Sequence, residues 1–320
     1  MRVIENQIAA TSQSPLRGLL RDIHTAIINI APERSTEFDE KFKLFTIEYL
    51  DDDDFIADVD CETNYIRIST GTLEVLWVLA YAHFQYYTQV VQKVGCETET
   101  EVGPSHLSGM LPAFDLLSWA MERLIKYVEW HEHGGSKPER SPWPANLPSP
   151  LSSSDAFSDE GVASELTRGS LAALIHHELA HIALGHSGPS EIDSERDADM
   201  HSWDWIRDAM GSRSDKADLK RILIILNPLL LGVAIDIRLK RNTLGSHPRN
   251  IDRLSNFLSY SDLDPQDLAY AFALTILQFH TGLTGDAYRT HGVVYENFRD
   301  AFEAIADHIS RFETITKQDS

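Results

Sequence analysis

The side chains of His177, Glu178 and His181 lie inside an almost entirely apolar segment, residues 171–184. Nearly all of the remaining positions of this segment are apolar, which is the pattern of a helix that is surrounded by the protein core. Burying an imidazole or a carboxylate costs free energy unless the group meets a suitable partner. The segment therefore predicts a core helix whose polar side chains face a partner inside the protein.

The spacing of these residues indicates what that partner is. Two histidines four residues apart lie one turn apart on the same face of a helix, so both imidazoles can reach one metal ion. Glu178 follows the first histidine directly, which places its carboxylate beside the metal at a distance suited to holding a water molecule. The pattern predicts His177 and His181 as zinc ligands and Glu178 as the general base.

A catalytic zinc ion normally takes three protein ligands and keeps one position open for water. We expect the helix to end near Gly185, with a turn at Gly188-Pro189 and a new helix that begins at Ser190. Glu195 lies 14 residues after His181, enough for a helix end, a turn and the start of a helix that doubles back. We therefore predict Glu195 as the third ligand.

Asp199 follows Glu195 by four residues and shares its helical face. We expect it to accept the outer N–H of a ligating histidine. His186 is five residues past His181, and we interpret it as a helix-end histidine rather than a ligand. His176 points about 100° away from His177, which favours a position beside the site or at the surface. A third-histidine pattern is excluded, because Leu184 and Ser187 stand where it needs glycine and histidine.

One simpler interpretation is a core helix whose histidines bond to carbonyl groups and whose glutamate forms an ion pair. The acidic cluster at the spacing of a third ligand favours the metal.

The sequence HELAH, then GH, then ERDAD in the form ExxAD, resembles the gluzincin zinc metallopeptidases over residues 165–260. The likeness is to the group that includes the CAAX prenyl endopeptidases and their soluble minigluzincin relatives. It implies the same ligands and the same base as the spacing does. The later segment Ser246-His247-Pro248 resembles one that lies near the zinc cleft in that family, so the resemblance makes His247 a candidate for transition-state stabilisation or gating.

Tyr65–Gly71 resembles the strand and turn that precede the active-site helix in these enzymes, where an edge strand can align an extended substrate. Taken with the length of the chain, this architecture is also similar to that of the Lit-type phage-exclusion peptidases. That resemblance implies cleavage of a translation factor inside infected bacteria.

Composition limits the remaining classes. A net charge of −21 argues against binding to nucleic acid or to an anionic membrane surface. The two cysteines, Cys61 and Cys96, are far apart in the sequence, and the N-terminus lacks the apolar core of a signal peptide, which together predict a cytoplasmic protein. The most apolar run, 222–237, contains Asn227, Pro228 and Asp236 and favours a buried helix, kinked at the proline, over a membrane span.

We predict an α+β fold that is predominantly α-helical, a zincin-like metallopeptidase with a small N-terminal sheet. Residues 1–133 form an N-terminal α/β region, 134–160 a Gly/Pro/Ser-rich linker or flap, and 161–320 a helical zinc-binding catalytic region. Helices are expected at 16–30, 72–94, 111–131, 218–240, 248–260, 265–281 and 292–316, and strands at 42–47 and 64–68.

The function predicted for this chain is zinc-dependent hydrolysis of peptide bonds in an intracellular protein substrate. The zinc ion lowers the pKa of bound water, and Glu178 takes its proton as the water attacks. We propose His247 as the donor to the oxyanion, with Arg249 and Arg253 as substitutes. The alternative is a zinc-containing regulatory or phage-defence module that mainly recognises a partner.

Overall fold

The computed structural model describes residues 2–4, 14–20, 23–42, 45–50, 52, 54–92, 108–150, 155–186, 191–207, 216–244, 248–285 and 295–316. Helices dominate these residues, and a small sheet lies near the N-terminus. The predicted α+β, predominantly helical fold class is therefore confirmed.

In chain order the helices are α1 (Arg17–Leu20), α2 (Ile23–Asn29), α3 (Ser35–Lys41), α4 (Thr70–Tyr86), α5 (Leu111–His133), α6 (Asp159–Leu184), α7 (Ile192–Arg207), α8 (Lys216–Leu239), α9 (Asn250–Tyr260), α10 (Leu268–Leu283) and α11 (Phe298–Ser310). Short 3₁₀ turns precede α3 and α5, and a π-helical segment, Tyr87–Gln92, continues α4.

The first sheet contains β1 (Arg2–Ile4), β2 (Thr46–Leu50), β3 (Ala57–Asp60) and β4 (Tyr65–Ser69) in the spatial order β1-β2-β4-β3. β1, β2 and β4 are parallel, whereas β3 is antiparallel to β4. Among the described residues no further strand pairs with β3, so β3 is an edge strand and lies beside α6. A second, two-stranded sheet joins β5 (Arg241–Leu244) and β6 (Glu313–Thr316).

This order corrects one expectation from the sequence. Tyr65–Ser69 is a strand, as predicted, but it lies between β2 and β3 and is not an edge. The edge strand beside the polar helix is Ala57–Asp60, which the sequence pattern did not indicate. Its short alternation of polar and apolar residues is too brief to stand out from a turn-rich segment.

Helix α6 lies at the centre of the core. It packs against α2, α4, α7 and α8, and this explains why it is apolar on nearly all sides. Ser158 caps its N-terminus by accepting a hydrogen bond from the N–H of Gly161 at 3.1 Å. Within the core, the indole N–H of Trp77 on α4 donates to Ser164 on α6 at 3.0 Å. The helix is therefore fixed along its whole length.

Several element ends differ from the expected ones. The predicted helix at 16–30 is split into α1 and α2, and α4 begins at Thr70 because Ser69 caps it through the N–H of Thr72. The predicted helix at 292–316 is wrong at its end, where residues 313–316 form β6. Their pairing with β5, more than 60 residues earlier in the chain, is a tertiary contact that local periodicity does not report.

The apolar run 222–237 forms part of α8, which continues through Pro228. By length and composition, the described part of the chain has one helix able to cross a membrane, Leu219–Leu239, and 61% of its most apolar window is buried inside the structure. Its polar residues have partners in the core. Asn227 donates to Ser170 at 3.2 Å, and Asp236 accepts from Asn250 at 2.9 Å.

The segment between α5 and α6 contains neither helix nor strand in its described part. Trp143 of this segment packs against Trp77 and Trp119, with ring centroids 5.6 and 5.2 Å apart. This part of the segment thus contacts α4 and α5. The division at 134–160 and a flap over the cleft stay predictions.

Candidate metal centre and active site

The HExxH residues lie on the buried part of α6, as predicted, and the helix ends at Leu184 with Gly185 in the left-handed conformation, φ 69°. The expected turn at Gly188-Pro189 and the cap at Ser190 lie outside the described residues. Helix α7 then carries Glu195 in its first turn. Since α6 and α7 pack together, Glu195 comes to lie opposite the two histidines.

His177, His181 and Glu195 are brought together as the spacing predicts. The Nε2 atoms of the two imidazoles lie 3.2 Å apart. Glu195 Oε2 is 3.3 Å from His177 Nε2, and Glu195 Oε1 is 3.5 Å from His181 Nε2. All three side chains are buried.

The three donors fit a metal ion. With metal–ligand bonds of about 2.0–2.1 Å, two ligands of a tetrahedral zinc ion lie roughly 3.3 Å apart, which is close to all three separations here. A carboxylate has only lone pairs to offer, and each imidazole has one lone pair at Nε2 when its proton is on Nδ1. A cation at their centre satisfies all three groups.

Two charged side chains, Asp199 and Arg253, lie on the side of His177 that faces away from Glu195. Nδ1 of His177 lies 3.0 Å from Asp199 Oδ1, although the ring is not turned so that the N–H points directly at that oxygen. Asp199 in turn accepts two hydrogen bonds from Arg253, at 2.7 and 2.6 Å. Asp199 therefore lies beside a candidate ligand, as expected, but the predicted hydrogen bond from the Nδ1–H of His177 is not formed.

These contacts shift the ionisation of the site. Burial lowers the pKa of His177, but the carboxylates of Asp199 and Glu195 outweigh it and raise that pKa to about 10. Burial raises the pKa of Asp199, but Arg253 and His177 prevail and hold it at about 2. The pocket therefore strongly favours positive charge between these groups, whether a proton or a metal ion supplies it.

Glu178 is partly exposed and adjoins this centre. Burial raises its pKa, His177 opposes the rise, and the carboxylates of Glu195 and Asp58 add to it, with a net value of about 7. A carboxylate with a pKa near neutrality can both accept and return a proton, as a general base must. Asp58 belongs to β3, so the edge strand lies close enough to Glu178 for their charges to interact.

The neighbouring histidines differ in their surroundings. His176 is only 2% exposed, stacks on Trp205 and lies with Nε2 2.9 Å from the carbonyl of Ile27. The expectation that it lies beside the site or at the surface is wrong, because α2 and α7 cover this side of α6. His186 follows the helix end, as expected, and its Nδ1 lies 2.9 Å from Nδ1 of His181.

Of the three candidate oxyanion donors, only Arg253 reaches the site in the described residues, where it binds Asp199. His247 lies outside them, so its role stays a prediction. Arg249 pairs with Asp252 at 2.7 and 2.9 Å, and Arg253 is engaged with Asp199. Both arginines thus have carboxylate partners, which argues against their use as substitutes for His247.

Two comparisons with known proteins bear on this arrangement. The family model Peptidase U49 matches residues 66–273, which include both histidines, both glutamates and the Asp199–Arg253 pair. The chain belongs to the Peptidase U49 family. It is also similar to "Cell death peptidase" of Escherichia coli (strain K12), with 24% identity over 287 residues, 83% of this chain and 89% of the relative. No solved structure matches the chain.

The peptidase assignment confirms the resemblance to Lit-type peptidases and the prediction of an enzyme that hydrolyses peptide bonds. A polypeptide is therefore its substrate. Sequence reasoning missed three features of this peptidase's site: the edge strand β3, the use of Arg253 to hold Asp199, and the contact of His186 with His181. The first two join distant parts of the chain. The third could have been found, because the sequence did indicate the helix end at Gly185 that returns His186 to His181.

Proposed function

We propose that this peptidase is a zinc-dependent endopeptidase that cleaves an intracellular protein. The observation that carries the proposal is the group of three buried donors, His177, His181 and Glu195, set 3.2–3.5 Å apart beside Glu178. Two imidazoles and one carboxylate form a ligand set typical of catalytic zinc, whereas calcium and magnesium prefer oxygen ligands alone. Three protein ligands leave one position for water.

A zinc ion bound there would lower the pKa of water toward neutrality and polarise the carbonyl group of the substrate. We propose that Glu178 accepts the proton of that water as its oxygen attacks the peptide carbon. When the C–N bond breaks, Glu178 returns the proton to the leaving amine. We propose that Asp199, which Arg253 holds in place, supports His177 through its negative charge.

We propose that β3 aligns the substrate. Its outer edge has no partner strand among the described residues, and it borders the helix that carries Glu178. An extended peptide can add to such an edge through backbone hydrogen bonds. Each such bond contributes about 1 kcal/mol, so N-methylation of a paired substrate amide is expected to lower kcat/KM roughly 5-fold. Equal cleavage of all N-methylated peptides in a scan would exclude this alignment.

His247 remains our proposed donor to the oxyanion, on the basis of the family resemblance alone. The variant His247→Ala is expected to keep zinc and to lose roughly 100-fold or more in kcat. Turnover within a few-fold of the wild type, with zinc still bound, would refute this role.

The decisive experiment measures zinc and cleavage in the same preparations. Elemental analysis of the wild type is expected to give one zinc per chain, with loss in His177→Ala and Glu195→Ala. Glu178→Gln is expected to keep zinc but lose roughly 100- to 10,000-fold in cleavage of an unfolded protein substrate. The matched control is Glu303→Gln, an exposed glutamate on α11, which is expected to change neither quantity.

A wild type without zinc would overturn the proposal and favour a different peptidase mechanism. Full activity in Glu178→Gln would remove the base from the mechanism even if zinc were present.

A further inference from the structure

The end of helix α6 folds back on the helix itself. Gly185 adopts the left-handed conformation, and its N–H donates to the carbonyl of Ile182 at 3.2 Å. The N–H of His186 donates to the carbonyl of His181 at 3.0 Å. These two bonds form a Schellman motif, which reverses the chain direction after a glycine. His186 is thereby returned to the last turn of α6.

The side chains of His181 and His186 meet as a result. Their rings lie 5.0 Å apart and nearly perpendicular, with the two Nδ1 atoms 2.9 Å from each other. At this separation one nitrogen donates and the other accepts. His181 turns its other nitrogen, Nε2, toward His177 and Glu195.

The position of the proton follows from these contacts. A metal ligand must present a lone pair, so the proton of a metal-bound His181 is on Nδ1. The Nδ1–H then donates to Nδ1 of His186, whose own proton lies on Nε2. This is the kind of outer contact that fixes the tautomer and the ring orientation of ligating histidines.

We propose that His186 is a positioning residue of the metal centre, which accepts the Nδ1–H of His181. The inference rests on the proposed function, because it takes His177, His181 and Glu195 as metal ligands. It assigns a role to the helix-end glycine as well, since without the reversal at Gly185 the side chain of His186 would point away from His181.

The side chain and the backbone of His186 make separable contributions. Any residue other than proline at position 186 can donate its backbone N–H to the carbonyl of His181, so the helix end does not require a histidine. Only a side chain with an acceptor close to Cγ can meet Nδ1 of His181. Asparagine places an amide oxygen where histidine has Nδ1, whereas alanine has no acceptor.

The test compares the zinc affinity of the wild type, His186→Ala and His186→Asn by competition with a chromophoric chelator. His186→Ala is expected to bind zinc roughly 10- to 100-fold more weakly, and His186→Asn to recover most of that loss. The control is His133→Ala, an exposed histidine at the end of α5, which is expected to bind as the wild type does. The visible absorption spectrum of the cobalt-substituted protein is expected to shift in the alanine variant and to return in the asparagine variant.

Thermal unfolding of the metal-free proteins separates positioning from a structural role, because all variants are expected to unfold at the same temperature. Unchanged zinc affinity in His186→Ala would overturn the inference, as would equal losses in the alanine and asparagine variants. A wild type that binds no zinc would instead refute the proposed function, so the two failures are distinguishable.

Discussion

Acid is expected to destabilise this protein through a pair of histidines remote from the metal centre. His83 on α4 and His280 on α10 are fully buried, with their Nε2 atoms 2.9 Å apart. Within the described residues neither Nδ1 atom has a hydrogen-bond partner. Burial lowers the pKa of His83 to about 3, and burial together with the charges of His83 and Arg238 holds the pKa of His280 well below its usual range.

The direction of the effect follows from which state binds protons. Above about pH 6.5 both histidines are neutral in the folded and in the unfolded chain, so they do not alter stability. Below that pH the unfolded chain binds protons that the folded protein does not, and the free energy of unfolding falls. At about pH 5, about 1.5 pH units below its unfolded pKa, His83 lowers the free energy of unfolding by about 2 kcal/mol, and His280 adds a loss of the same sign. For His83 the loss stops growing near its folded pKa of about 3.

Urea unfolding of the metal-free protein, followed by circular dichroism at about pH 7.5 and about pH 5, measures this loss. The double variant His83→Leu/His280→Leu replaces both partners by apolar groups, which is tolerated far better than removal of one. Its loss of stability between the two pH values is expected to be smaller than that of the wild type by at least the contribution of His83, about 2 kcal/mol. The control His24→Leu changes an exposed histidine on α2 and is expected to leave the loss unchanged. A double variant as sensitive to acid as the wild type would refute the reasoning.

Three further predictions follow from single contacts. Asp199→Asn removes the negative charge beside His177 and is expected to weaken zinc binding roughly 10- to 100-fold in chelator competition; unchanged binding would mean that this charge does not support the ligand. Gly185→Ala adds a Cβ atom at a residue with φ 69°, where no other atom is in its way. The free energy of unfolding in urea is therefore expected to fall only by the cost of the left-handed conformation, about 1 kcal/mol. An unchanged free energy of unfolding would show that this conformation has no such cost here. Glu74→Gln removes the charge 2.7 Å from buried Arg123 and is expected to cost about 3 kcal/mol in the same assay, whereas a cost below about 1 kcal/mol would show that this pair is dispensable.

The group of three candidate metal ligands was predictable because its main determinants are local. Two histidines four residues apart share a helical face in any helix, and the apolar neighbours of His177 and His181 require that helix to be buried. Gly185 marks the helix end for a conformational reason that is visible in the sequence. Once that end is known, the number of residues to Glu195 limits where the third donor can lie.

The remaining features depend on contacts between distant segments. The expected edge strand was placed at Tyr65–Ser69, because a sequence does not report which side of a strand is paired. His176 was assigned by its angle on the helix, yet its burial is decided by Trp205 and by Ile27, which belong to other helices. The strand at residues 313–316 exists because residues 241–244 lie beside it. Local periodicity contains no information on any of these partners.

The balance of charges at the site explains why Arg253 pairs with Asp199 and is not free to act as a donor to the oxyanion, a question that residue spacing alone did not answer. From the sequence Arg253 was a substitute donor to the oxyanion, but its guanidinium makes two hydrogen bonds to Asp199 in the core. A divalent ion at the proposed centre would carry two positive charges, which Glu195 and an ionised Glu178 would cancel. Asp199 would then leave one uncompensated negative charge in a buried site, and burying such a charge is costly. Arg253 removes that cost, so its positive charge is already paired before any substrate binds. In the proposed mechanism, stabilisation of the oxyanion would therefore come from the metal together with a donor other than Arg253.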